Sequence, residues 1–426
     1  MFNFTHHTPT KVVFGKGAEA QTGALVREQG CKKVLIHYGG GSVVRSGLLD
    51  RIKASLDAEH IAWVELGGVV PNPRLSLVYR GIELARKEGV DFILAVGGGS
   101  VIDSAKAIAY GLAEEADVWE LYDRARQARA CLPVGTVLTI AAAGSEMSNS
   151  SVITKDEGGV KRGYNDDICR PKFAVMNPEL TVTLPPYQTA SGCADILMHT
   201  MERYFTPNGT MELTDSLAEG LMRTVMKNAK ILRDDPSNYD ARAEIMWAGS
   251  LSHNGLTGCG SDGGDWTTHL LEHEMGGMFD VTHGAGLAAI WGSWARYVYR
   301  DCLPRFVRFA VNVMGVDETG APEETALRGI EAVEDFYRSI DMPTCFSELG
   351  IAPTQEQLET MAHMLHIASG GKKGTAKVLV EADFLKIYQM ANHSRRRSVC
   401  SRRFSSILTT PWGTVPTPSW PDSGTG

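Results

Sequence analysis

The chain has 426 residues, 43% hydrophobic and 22% charged, and its 42 Lys+Arg against 50 Asp+Glu leave a net charge of −8. That balance opposes nucleic-acid binding by bulk charge, and the apolar content excludes disorder of the whole chain. No run approaches the ~20 apolar residues of a membrane span, and Met1–His7 lacks the basic and apolar regions of a secretion signal, so the sequence reads as cytoplasmic with no membrane partner.

In chain order, the first half alternates short apolar runs with amphipathic helical patterns, which predicts a parallel sheet with helical crossovers. The clearest strands are Lys33-Val34-Leu35-Ile36-His37 and Asp91-Phe92-Ile93-Leu94-Ala95-Val96, each followed by Gly-Gly-Gly-Ser, at 39–42 and 97–100. Pro71-Asn72-Pro73 punctuates the region between them, and further β-like runs fall at 134–139, 151–154 and 173–176. At Thr183-Leu184-Pro185-Pro186 the texture changes, with the double proline expected to stop a strand. Beyond it the pattern is helical, as at Met211–Leu232 and Asp240–Leu251. The predicted fold class is therefore α/β plus all-α: a doubly wound parallel-sheet domain at 1–184 and an all-helical domain at 185–392. Residues 393–426 carry five arginines against Asp422 alone, a net +4, without a periodic apolar face. They read as a disordered tail, a read-through or frameshift product in preference to a basic interaction arm.

The 8 cysteines are scattered with no CxxC pair, so neither a disulfide framework nor a thiolate zinc site is expected. Chemistry is better sought in three other places. First, the run through Gly97, Gly98, Gly99 and Ser100 into Asp103 takes a buried strand straight into a helix, where outward N–H groups and the helix dipole can hold a pyrophosphate. It is not the GxGxxG fingerprint, and a ligand-free tight turn is the competing reading. Second, Tyr38-Gly39-Gly40-Gly41-Ser42 follows the earlier strand where such a domain meets the adenosine ribose. An NAD-preferring chain commonly places a carboxylate there; this one places glycines, with Ser42 and Arg45 able to approach a 2′-phosphate, so NADP(H) is the expected cofactor.

Third, Asp195 and His199 are four residues apart, as are His269 and His273, so each pair shares one helix face, and His283 stands in a Gly-rich turn nearby. One carboxylate with three imidazoles from this set suits Fe²⁺, Zn²⁺, Co²⁺ or Mn²⁺. His253 has no partner at ligand spacing and reads as an ordinary polar residue. His269-Leu270-Leu271-Glu272-His273 also has the order of an inverted zinc-peptidase motif, with Glu272 as base.

Taken together, GGGSxxDxAK at 97–106, Ala143-Gly144-Ser145-Glu146, the Asp195/His199 pair and HxxxH…HG at 269–284 resemble the iron-containing (group III) alcohol dehydrogenase family. Within it the chain looks most like the NADPH-dependent butanol dehydrogenase and aldehyde reductase branch, over about residues 4–392. The resemblance implies that 1–184 is a dinucleotide-binding domain and 185–392 a metal-binding domain, with a metal, Fe²⁺ or Zn²⁺, in a cleft between them and ligands falling on Asp195, His199, His269 and His283. His273 matches a histidine near metal and substrate that is not usually a ligand, and is the nearest candidate for moving a proton. Implied cofactor contacts are Gly40 and Ser42 at the adenosine side, Gly97, Gly98, Gly99, Ser100 and Asp103 at the pyrophosphate, and Thr139, Ser145, Ser148, Ser150, Lys161 and Leu180 around the nicotinamide. The family's Thr-Gly-Ser-Glu is Ala143-Gly144-Ser145-Glu146 here, and Ser148 stands where relatives often have Asn. The resemblance further implies a homodimer that interconverts primary alcohols and aldehydes by metal-assisted hydride transfer. A glycerol-dehydrogenase or dehydroquinate-synthase-like enzyme, a metallopeptidase and a nonenzymatic scaffold are the alternatives.

Overall fold

The computed structural model describes residues 1–393 except 208 and 210. Apart from His393, the basic tail lies outside the described residues. Among those residues the strands are β1 (Lys11–Phe14), β2 (Lys33–Gly39), β3 (Ala62–Val69), β4 (Phe92–Gly97), β5 (Val134–Leu138), β6 (Ser150–Lys155), β7 (Val160–Asn165) and β8 (Phe173–Met176). Six of them form one parallel sheet in the order β1-β8-β5-β4-β2-β3.

The sheet is covered on both faces because its side chains alternate. Val34 and Ile36 of β2 join Phe92, Leu94 and Val96 of β4 against helices Thr22–Glu28 and Leu48–Ala58. Leu35, Ile93 and Ala95 point the other way, onto helices Leu75–Glu88 and Gly99–Ala113. Each large aliphatic side chain so buried contributes about 1.5–3 kcal/mol, which is why the uninterrupted apolar run of β4 reads as a central strand.

Two expectations are corrected here. The 151–154 run does not enter the parallel sheet; it lies in β6, which pairs antiparallel with β7 to form a separate hairpin. Nor does the double proline stop a strand. A 3-10 turn, Pro178–Thr181, precedes it, Pro185 caps the helix Pro186–Tyr204, and Pro186 opens that helix, where the missing N–H has no partner to lose.

From there the chain is helical, and Glu212–Asp234, Tyr239–His253, Thr267–Phe279 and His283–Val298 pack with Pro186–Tyr204 around one core that includes Phe205, Trp291, Trp294 and Phe306. The start of His283–Val298 approaches Pro186–Tyr204 so closely that a Cβ on Gly284 would sit 2.0 Å from the Ser191 carbonyl oxygen. No helix among the described residues is long and apolar enough to cross a membrane.

Two glycines test this packing in opposite directions. Gly284→Ala should destabilise by about 1–3 kcal/mol through overpacking. Gly220→Ala, inside Glu212–Asp234 with nothing within 4 Å of the added carbon, should stabilise by about 0.5–1 kcal/mol. Urea unfolding midpoints that move in the same direction for both would contradict the packing described.

Candidate active site

The nucleotide end is built by sheet topology. Chain order reverses between β2 and β4, which lie side by side with Tyr38 paired to Val96, so the two Gly-Gly-Gly-Ser copies become neighbours at the carboxyl edge. Open parallel sheets take their ligands at such a reversal. Glycine is required in the 97–99 turn by close approach: added Cβ atoms would meet Val101 at 2.5 Å, Ile140 at 2.9 Å and Ala143 at 2.8 Å. Gly40 and Ser42 are exposed, and Ser100, Thr139 and Leu180 are half-buried.

The remaining residues expected here are engaged within the protein. The Asp103 carboxylate accepts hydrogen bonds from Ser145 Oγ at 2.6 Å and from the Val152 amide at 3.0 Å. Lys106, fully buried, donates from Nζ to the carbonyl oxygens of Ser145, Ser148 and Ser150 at 2.7, 3.0 and 2.8 Å, and also reaches the hydroxyls of Ser145 and Ser148. Burial pushes its pKa below the ordinary lysine value. Lys106 thus organises the 145–150 loop, a role sequence reading did not assign although it quoted the residue within the motif.

The metal end gathers residues from three helices. Asp195 and His199 come from Pro186–Tyr204, His269 from Thr267–Phe279, and His283 opens His283–Val298. Asp195 Oδ1 lies 3.2 Å from His199 Nδ1, 3.8 Å from His269 Nε2 and 3.7 Å from His283 Nε2. Donor atoms of Asp195, His199 and His269 all fall within 4.8 Å of one another. Asp195 Oδ1, His199 Nδ1 and His269 Nε2 are buried without a hydrogen-bond partner, the 3.2 Å pair being misaligned for one. Tetrahedral bonds of about 2.0–2.2 Å to one ion separate ligand atoms by about 3.3–3.6 Å, so the donor set fits a divalent metal.

His273 stands beside this group, its ring centroid 6.5 Å from that of His269 and 5.9 Å from that of His283. Burial holds its imidazole well below the ordinary value, hence neutral at neutral pH. Glu272 is committed to Lys161 at 3.0 Å and to His283 Nδ1. With Glu272 occupied and His273 outside the donor group, the inverted peptidase motif is not formed. Burial alone would raise Glu272, but the His283 and Lys161 charges outweigh it and hold the carboxyl below its usual range.

Other neighbours were not visible as site residues in the sequence. Glu202 accepts from both the backbone N–H and Nδ1 of His269, at 2.9 and 3.0 Å. The His253 ring lies over His199, centroids 4.0 Å apart, and its Nδ1 accepts from Arg203 at 3.1 Å. Trp266 caps the start of Thr267–Phe279 with a left-handed φ of 61°. Its Nε1 donates to the Gly263 carbonyl at 2.7 Å, and Arg203 lies 4.5 Å from its ring centre. The only sequence signal for any of these is spacing: Glu202 follows His199 by three residues, as Glu272 follows His269.

A parallel sheet with a glycine-rich turn at its reversal, joined to helices that gather one carboxylate and three imidazoles, is the arrangement of an enzyme suited to a nucleotide and a divalent metal. Comparison with known proteins narrows it. Residues 9–178 match the family model "Iron-containing alcohol dehydrogenase", and residues 189–392 match "Fe-containing alcohol dehydrogenase family, C-terminal". The chain is 40% identical over 390 residues to NADH-dependent butanol dehydrogenase A of Clostridium acetobutylicum, covering 91% of this chain and 99% of that one. It is 36% identical over 359 residues to the NADPH-dependent aldehyde reductase YqhD of Escherichia coli, covering 82% and 90%. The crystal structure of NADH-dependent butanol dehydrogenase A from Thermotoga maritima superposes with a TM-score of 0.89 at 37% identity, covering 92% of this chain and 99% of that one. The chain belongs to the iron-containing alcohol dehydrogenase family and is an alcohol/aldehyde oxidoreductase.

The electrostatics give the site a pH signature. Burial disfavours a charged His269, but Asp195 and Glu202 outweigh it and raise its pKa to about 9. Below that pH an incoming metal must displace the His269 proton, so affinity for Zn²⁺ should rise by up to about tenfold per pH unit through neutrality and level off above about pH 9. Calorimetry in buffers of different ionisation enthalpy should count a proton released near neutral pH. Release of none, with affinity flat in pH, would contradict the raised His269 pKa.

Proposed function

We propose that this chain reduces short-chain aldehydes such as butanal to primary alcohols with NADPH, reversibly, using one Fe²⁺ or Zn²⁺ held by Asp195, His199, His269 and His283. The observation that carries this reading is the convergence of buried, unpartnered donor atoms on Asp195 Oδ1. When bound, the metal polarises the carbonyl oxygen and the nicotinamide supplies hydride. The sheet half, 1–184, orients the nucleotide; the helical half, 185–392, holds the metal and the aldehyde.

Gly97, Gly98, Gly99 and Ser100 offer the helix N-terminus to the pyrophosphate, with Asp103 fixing the neighbouring loop. Thr139, Ser145, Ser148, Ser150, Lys161 and Leu180 surround the nicotinamide side, the serines through a loop already shaped by Lys106. Gly40 and Ser42, exposed at the end of β2, present no carboxylate to an adenosine 2′-phosphate, which supports NADPH. The relatives' names divide on this point, the butanol dehydrogenases being NADH-dependent and the aldehyde reductase NADPH-dependent. In this reading His273, neutral and one turn beyond His269, relays a proton to the product alkoxide.

Loss of NADPH absorbance with butanal, run beside NADH on metal-stripped protein and again after adding Fe²⁺ or Zn²⁺, tests the reading. Metal should restore turnover, and NADPH should be the faster cofactor. His273→Ala should slow turnover by about 100-fold with metal content unchanged. Turnover that is indifferent to metal, or faster with NADH, would overturn the metal or cofactor assignment respectively.

A further inference from the structure

The unit His-x-x-Glu occurs twice in the metal-binding half, as His199-Thr200-Met201-Glu202 and His269-Leu270-Leu271-Glu272. In neither does the glutamate hold the histidine of its own unit. Glu202 reaches across to helix Thr267–Phe279 and binds the backbone N–H and Nδ1 of His269. Glu272 in turn reaches Nδ1 of His283 at the start of the helix after that. With Nδ1 so engaged, Nε2 is the atom left facing Asp195 in both imidazoles, at 3.8 and 3.7 Å. Both glutamates are buried, so each interaction acts in a weakly screened environment.

The second link goes further. His283 is 27% exposed at its side chain, against 4–8% for Asp195, His199 and His269, and it sits at the first position of its helix, where no preceding turn confines it. Its orientation therefore rests on what meets Nδ1, which is Glu272 with Lys161 Nζ at 3.4 Å beside it. Glu272 rests on Lys161, a β7 residue whose Nζ lies 3.0 Å from Glu272 Oε2. The hairpin carrying Lys161 is fixed to the same helix by Arg162 on Glu274 at 2.8 Å. At Gly159 and Gly277 the two backbones meet so closely that a Cβ on Gly277 would lie 2.2 Å from the Gly159 carbonyl oxygen.

We propose that Glu202 and Glu272 are positioning residues of the metal centre, each holding a metal-facing imidazole on a helix other than its own, and that Lys161 extends the second link to the β6–β7 hairpin. Through that link the hairpin sets how firmly His283 faces the metal. The proposal rests on the metal centre described under Proposed function.

The test uses full-length protein loaded with Co²⁺, reading its visible absorption and its rate of metal loss to a chelator. Removing an outer partner of a metal-bound histidine typically weakens metal binding by about 10–100-fold, so Glu272→Ala and Glu202→Ala should each speed release by about that factor and shift the Co²⁺ bands. Gln keeps an acceptor oxygen for the imidazole, and Glu272→Gln and Glu202→Gln should return release to within about fivefold of the parent. Lys161→Met should speed release as well, by about threefold or more, because Glu272 loses its anchor. Circular dichroism and urea midpoints report folding; should an alanine variant not fold, the Gln and Met variants carry the test. Parental release rates and spectra in Glu272→Ala and Lys161→Met, or Gln variants as impaired as Ala, would overturn the proposal. A parent chain that takes up no Co²⁺, or takes it up equally after Asp195→Ala, would instead overturn the metal centre itself.

Discussion

The structure is organised around polar atoms that the protein buries and leaves unpaired. Asp195 Oδ1, His199 Nδ1 and His269 Nε2 have no hydrogen-bond partner among the described residues, and a buried polar group without one costs about 1–3 kcal/mol. Helices close over such a centre only if their apolar faces drive them. They do so through an aromatic core in which Phe205 stacks on Phe306 with centroids 4.3 Å apart and Trp291 and Trp294 are fully buried. A divalent ion would satisfy all three atoms at once, and the helical core is what holds them together.

The sheet half meets an analogous demand with a cation of its own. Lys106 lies on the helix that starts at the glycine turn, and its ammonium group draws three carbonyls of the 145–150 loop inward. Asp103, three residues earlier, fixes the same loop through Ser145 and Val152. The 145–150 loop is therefore set by the helix that opens at the glycine turn.

What the sequence disclosed and what it hid divide along physical lines. Strands β2 and β4 were legible because burial on both faces leaves a continuous apolar run, and the Asp195/His199 pair because four-residue spacing puts side chains on one helix face. The β6–β7 hairpin was missed because β7, Val160–Asn165, has one strongly apolar residue and so shows no alternating apolar pattern. The double proline was misjudged because proline is suited both to ending a strand and to opening a helix, and only the following turns decide. The roles of Ser145 and Ser148 came from family resemblance, which does not show that Lys106 engages their hydroxyls. The crossed pairing of Glu202 with His269 and Glu272 with His283 depends on how three helices assemble, so spacing alone displays the units and conceals the partners.

Trp266 has a consequence for the medium in which this centre works. A left-handed backbone at a bulky residue costs about 1–2 kcal/mol, a cost glycine would avoid. The ring it carries stands 5.4 Å from His269, 5.8 Å from His253 and 6.2 Å from His199, centre to centre, with the Arg203 guanidinium against it. An indole in that corner takes the place of water on one flank of the imidazoles, and charges interact several times more strongly across protein than across water. The strained residue thus lowers the local dielectric on that side of the centre, so a backbone distortion at position 266 strengthens the electrostatics of residues it does not bond to.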